Sequence, residues 1–210
     1  LGYLPDAMVN FLARLGWAHG DDELFNDAQA QAWFDLTGVG KAPARLDFDK
    51  LAHVNAHWIR LADDTRLARM TLDVHLARGH APRPDDEARL LQAMPYIKDR
   101  AKTLLELADQ SAFALKVRPL TIFEKALPML TGESGERIGR LRDRLRLFAS
   151  WDVFALEAEL KVFAEEEAVG FGKIGPAVRA ALTGDGVSPD IAKTLAALGR
   201  EESLGRLDDA

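Results

Sequence analysis

The sequence predicts an all-α protein. Apolar residues recur at helical spacing from one end of the chain to the other, helix start and stop signals punctuate them, and alternating strand patterns are scarce. No repeat of fixed period and no low-complexity stretch competes with that reading.

Taken in order, the first helix opens at Pro5, in a first turn where a missing N–H costs little. Leu4, Met8, Phe11, Leu12 and Leu15 form its apolar face and Gly16 ends it. Gly38, Gly40 and Pro43 mark an irregular connection. Residues 47 to 62 repeat the helical pattern, with Asp47 as N-cap and Leu51, Val54, Trp58, Ile59 and Leu61 at the apolar positions. Another helix follows over 61 to 76. Gly79, Pro82 and Pro84 then break the chain before Asp85, Asp86 and Glu87, acids favoured in a first turn. Two short helices are expected at 85 to 94 and 98 to 109. The pattern continues over 120 to 130, is interrupted by Gly132 and Gly135, and resumes in an arginine-rich helix at 136 to 148. Ser150 and Asp152 can cap the next helix, whose Val153, Leu156, Leu160 and Phe163 follow at steps of three, four and three. Near the end, Pro176 reads as the opening of a short helix closed by Gly184. Ser188-Pro189-Asp190 reads as N-cap, first-position proline and first-turn acid for a helix ending at Gly199. The break at 79 to 84 divides two helical units.

Composition narrows the function. The chain has 210 residues, 48% hydrophobic and 29% charged, as a soluble globular protein does. It has no cysteine, which excludes disulfides, thiolate zinc sites and a thiol nucleophile. Without a long apolar run or a signal peptide at Leu1-Gly-Tyr-Leu-Pro5, a cytoplasmic location and no membrane association are expected. A start at leucine rather than methionine suggests part of a longer protein. The net charge of −6 argues against binding nucleic acid over the whole surface. The charge is uneven, however: 1–59 and 151–210 are acidic and 60–150 is basic, and Arg137 to Arg146 hold five arginines against one acid. Such a run is either a solvated helix face or a phosphate contact.

Searches for chemistry return little. His53 and His57 have metal-ligand spacing, but no third ligand is suggested and the glutamate of a metalloprotease helix is missing, so no metal site is expected. Gly38-Val-Gly-Lys41 resembles the tail of a phosphate-binding loop, yet Asp35 stands where the first glycine belongs and Ala42 replaces the magnesium-binding hydroxyl. Adjacent acids at 165 to 167 point in different directions along a helix and cannot converge on one atom. No Ser-His-acid arrangement stands out. The residues therefore describe a binding body with no catalytic group. It is either a nucleic-acid binder, using its basic middle and the helix starts near Pro176 and Ser188, or a helical protein-interaction module.

A resemblance separates these readings. Gly2 to Phe25, GYLPDAMVNFLARLGWAHGDDELF, is similar to the segment that follows the second ATP-binding signature of bacterial glutamyl-tRNA synthetases. The likeness continues through Phe34 to Phe48, Lys50-Leu51, Asn55 to Arg60 and Asp99 to Leu104. It ends in Lys173 to Gly184, Val187 to Pro189 and Leu198 to Leu207, which resemble the family's terminal blocks. Gly175 and Ala177 depart from the usual glutamine and leucine of one block.

The resemblance implies a helical stem-contact domain at 1–80 and two helical anticodon-binding subdomains at 81–150 and 151–210. The complete enzyme would activate glutamate with ATP and magnesium and transfer it to tRNA. This region carries neither class I signature, needs no cofactor of its own and should be inactive alone. Its implied partner is tRNA-Glu, with tRNA-Gln left open, no DNA, and a monomeric state. Arg100 falls at the position that reads the third anticodon base, while Arg179, Ser188 and Ile191 fall where the other anticodon bases are contacted. A guanidinium suits that work because it stacks on a base and donates a fork of hydrogen bonds. Arg100 could instead pair with Asp99 or Glu106, and Ser188 could serve only as an N-cap.

Overall fold

The computed structural model describes residues 1–40, 45–186 and 188–210. Among them no strand forms; one isolated antiparallel bridge joins Trp17 and Val39. The helices are α1 (Pro5–Ala13), α2 (Asp27–Trp33), α3 (Phe48–Leu61), α4 (Asp64–Ala77), α5 (Asp86–Ile97), α6 (Leu104–Ser111), α7 (Gly132–Leu147), α8 (Val153–Glu166), α9 (Phe171–Thr183), α10 (Ile191–Leu198) and α11 (Arg200–Asp209). Short 3-10 turns lie at Lys98–Arg100, Ala112–Leu115 and Glu124–Leu130. Lys41, Ala42 and Pro43 of the Gly/Pro connection, and Val187, lie outside the described residues.

The caps expected at Asp47 and Asp152 form: each carboxylate accepts backbone N–H groups of its own first turn. Three local readings change. The helix read as 98 to 109 is a 3-10 turn followed by α6, because Thr103 caps α6 by accepting the Glu106 N–H at 3.1 Å. Gly132 and Gly135 lie inside α7 instead of interrupting it. Pro176 lies inside α9, five residues beyond its start at Phe171.

The chain folds as two compact units, Leu1–His80 with Lys98–Asp109, and Ala81–Ile97 with Gln110–Ala210. In the first, α1 packs on α3, and Leu4, Phe11, Leu51, Val54 and Ile59 are buried between them. Burial of each such side chain contributes about 1.5–3 kcal/mol. Buried Asn10 ties the layer laterally, accepting the Trp58 indole N–H at 3.1 Å and donating to the Glu23 carbonyl at 3.1 Å. Gly2 adopts φ +80°, and a Cβ there would lie 3.0 Å from Leu105, so only glycine lets its carbonyl accept the Leu104 N–H at 2.8 Å.

In the second unit α10 packs on α5 and α8, and α11 packs on α7 and α9. Leu90, Met94, Leu141, Leu145, Leu156, Val178, Leu182 and Leu195 are fully buried at its centre. No described helix is long and apolar enough to cross a membrane.

Candidate nucleic-acid interface

In the first unit, a groove of 340 Å³ runs between one face of α3 and the 99–102 turn. Asp49, His53, Ala56 and Arg60, at steps of four, three and four, form the helical wall; Asp99, Arg100, Ala101 and Lys102 form the other. Arg60, Arg100, Lys102 and His53 are exposed. Arg100 pairs with neither Asp99 nor Glu106. Glu106 instead accepts the Lys102 backbone N–H at 2.7 Å, and among the described residues no carboxylate lies within ion-pair distance of Arg60, Arg100 or Lys102.

The turn that carries Arg100 is held from beneath. Lys98 donates to Asp64 at 2.6 Å, and fully buried Asn55 donates to the Lys102 carbonyl at 2.5 Å. His57, beside Arg60 on α3, is perturbed chiefly by burial. Burial first, then Arg60 and His53, push its pKa below the ordinary imidazole value. No group of three or more His, Asp or Glu side chains is placed to hold an ion among the described residues.

Arg179, Ser188 and Ile191 all lie in the second unit, but Arg179 and Ile191 line different hollows. Half-buried Arg179, on α9, reaches the Pro189 carbonyl only at 3.4 Å, while its Nε is buried without a partner. The N-cap expected of Ser188 falls to Asp190, whose carboxylate accepts the Lys193 N–H at 3.0 Å. Ser188 instead donates to the Pro189 carbonyl at 2.9 Å and accepts from the Thr194 hydroxyl at 3.0 Å. Ile191 is 2% exposed and borders a mostly apolar hollow with Leu160, Phe171 and Ala192.

The arginine-rich run is a structural ion-pair face. Arg137 and Arg140 bind Glu167, Arg142 and Arg146 bind Asp208, and Arg144 binds Glu159 and Glu166. These acids lie on or at the end of α8 and on α11, so the run's charge is spent within the fold. Chiefly through its hydrogen bond to Arg140, and then Arg137, Glu167 is held from 4.5 down to about 2. Its folded pKa is depressed, so the stabilisation it brings is complete above about 4.5 and is lost as pH falls toward 2. Urea midpoints of wild type and Glu167→Gln should therefore converge between those pH values, with wild type the more stable at pH 6; parallel curves would exclude this origin of acid sensitivity.

Residue types at helical spacing could have revealed His53 and Arg60, which stand seven apart on one face. Lys102 could not be found that way, because its place beside α3 depends on the tertiary packing of the 99–102 turn.

A helical body presenting one unpaired cationic groove and a second cluster around Arg179 fits the class of helical nucleic-acid-binding domains. The family model for the anticodon binding domain matches residues 60–210, and the chain belongs to that family. It is 55% identical over its whole length to a glutamate–tRNA ligase of Caulobacter vibrioides and 56% identical to one of Caulobacter sp. strain K31. It spans 45% and 44% of those two proteins, less than half their length. A glutamate tRNA ligase of Elizabethkingia meningosepticum, solved in complex with its amino acid, shares the fold with a TM-score of 0.75 at 23% identity, over 99% of this chain and 41% of that one. The family match leaves the protein-interaction alternative without support.

Proposed function

We propose that this chain recognises the anticodon arm of tRNA as part of a glutamate–tRNA ligase. The observation that carries the reading is the groove in which Arg60, Arg100 and Lys102 stand exposed, outnumber Asp49 and Asp99, and lie beyond ion-pair distance of any described carboxylate, since clustered cations are what phosphate neutralisation requires. The proposed partner is tRNA-Glu, bound by a monomer in the cytoplasm. Region 1–80 would contact the stem, and 81–150 with 151–210 would contact the anticodon. Arg100 reads the third anticodon base, while Arg179, Ser188 and Ile191 serve the others. Glutamate activation, with its ATP and magnesium, belongs to the remainder of the ligase; this chain's residues bind and orient.

Titration with tRNA-Glu over a range of salt tests the reading. Affinity should fall steeply with salt, and Arg60→Ala and Lys102→Ala should each lower the log–log slope by about one. Arg100→Ala in the whole ligase should narrow the charging difference between C-ending and G-ending anticodons by about fivefold or more, corresponding to about 1 kcal/mol or more of lost discrimination. Absence of salt-dependent association would sink the proposal.

A further inference from the structure

Beside Arg179 lies a hollow of 280 Å³ with apolar walls from Phe123, Ala126, Met129, Pro176 and Ala180, and charge supplied by Lys125, Arg179 and Asp185 at its margin. Phe123 is 55% exposed at the mouth of this hollow, and its backbone is held in place. Its N–H donates to the Gly184 carbonyl at 2.7 Å and its carbonyl accepts the Ala126 N–H at 2.8 Å. The approach requires glycine: Gly184 has φ +81°, and a Cβ there would sit 2.7 Å from the Thr121 carbonyl oxygen. Asp185 is engaged by Lys116 at 2.6 Å, so its charge is offset at the rim.

From this arrangement we infer that Phe123 is the stacking platform for one unstacked nucleobase of the bound single-stranded loop, with Arg179 donating to that base's edge. The inference rests on the tRNA-binding reading and adds a residue to it. A ring exposed at the mouth of a hollow, with an incompletely bonded guanidinium beside it, matches how single-stranded bases are held: the π-face supplies affinity and the fork of donors supplies orientation. Lys125 at the same margin suits the adjoining phosphate. Any base has a π-face, so the contribution of Phe123 is largely independent of base identity, whereas that of Arg179 depends on it.

The test is a set of equilibrium titrations of the chain with the anticodon stem–loop of tRNA-Glu and with versions abasic at each anticodon position in turn. Phe123→Ala and Phe123→Leu should weaken binding by about tenfold, and Phe123→Trp should bind as wild type does. Against one of the abasic RNAs the Phe123→Ala loss should vanish, a coupling that a merely structural role would not produce. If wild type binds the intact stem–loop but Phe123→Ala binds it equally well, or loses the same factor against every abasic RNA, the stacking role is overturned while tRNA recognition stands. If wild type does not bind the intact stem–loop, both fall.

Discussion

Replacing Arg206 by leucine is expected to lower the stability of the second unit by about 3–5 kcal/mol, the cost of breaking a buried ion pair from one side. Arg206, on α11, is 1% exposed. Its guanidinium donates to Glu202 at 2.7 Å, to the carbonyls of Phe113 and Leu182 at 3.0 and 2.7 Å, and to that of Lys116 at 2.9 Å. Those carbonyls come from the 112–115 turn, its next residue and α9, so one side chain on α11 ties that turn and α9 together. Burial pulls its pKa below the ordinary guanidinium value, with Glu202 opposing the shift. Leucine would fill part of the volume but strip the Leu182 carbonyl of its donor, and would leave Phe113, Lys116 and Glu202 with only long contacts, the Lys116 N–H at 3.4 Å and Arg89 at 3.5 and 3.8 Å. Lysine would keep the charge, but a single ammonium cannot span acceptors arranged for a fork. Domains hold only about 5–15 kcal/mol in total, so urea denaturation should find the leucine variant close to its unfolding threshold at 25 °C. A loss below about 1 kcal/mol would mean that water replaces the guanidinium and that Arg206 is not a structural centre.

Which parts of this fold are legible in sequence follows from which interactions are local. Helix starts at Asp47 and Asp152 are readable because the cap and its acceptor geometry lie within three residues. The helix α2 carries an equally local signal, a reciprocal Asn26–Gln29 capping box, but its seven residues bury nothing and leave no apolar stripe to notice. Proline misleads in a physically consistent way. Pro176 reads as a helix start, and Pro95 follows a helix expected to end at 94, yet both lie within helices. In each case the residue whose carbonyl loses its helical donor, Leu91 or Gly172, is exposed, so water can take the place of the missing N–H. The arginine run shows the opposite limit. Its spacing is visible, but the acids that neutralise it come from up to 66 positions away, as for Arg142 and Asp208, and no local pattern reports them. Arg100, Arg179, Ser188 and Ile191 are visible only through family resemblance. Their physical states differ: Arg100 is exposed and unpaired, whereas Ile191 is almost fully enclosed.

Asn55→Ala is expected to destabilise the first unit by about 2–6 kcal/mol and, in the whole ligase, to reproduce part of the Arg100→Ala phenotype without touching Arg100. Asn55 is fully buried on α3 and works in both directions: its carbonyl oxygen accepts the Leu4 N–H at 2.7 Å while its amide donates to the Lys102 carbonyl at 2.5 Å. Alanine leaves one buried donor and one partly buried acceptor unmet, each costing about 1–3 kcal/mol. The segment so released lies between two surviving ties, Lys98 to Asp64 and Leu104 to Gly2, so the turn should persist while its centre loosens. Arg100 and Lys102 occupy that centre. A guanidinium discriminates bases only while its fork is held in register, hence the expected loss of third-base discrimination with salt-dependent binding largely kept. Aspartate at this position should be worse than alanine, since it turns the donor facing Lys102 into a second acceptor and buries a charge. Hydrogen exchange at the Leu4 and Leu104 amides separates the two consequences. Faster exchange at Leu4 with Leu104 unchanged is the expected pattern; full discrimination together with that pattern would show that Arg100 needs no support from α3.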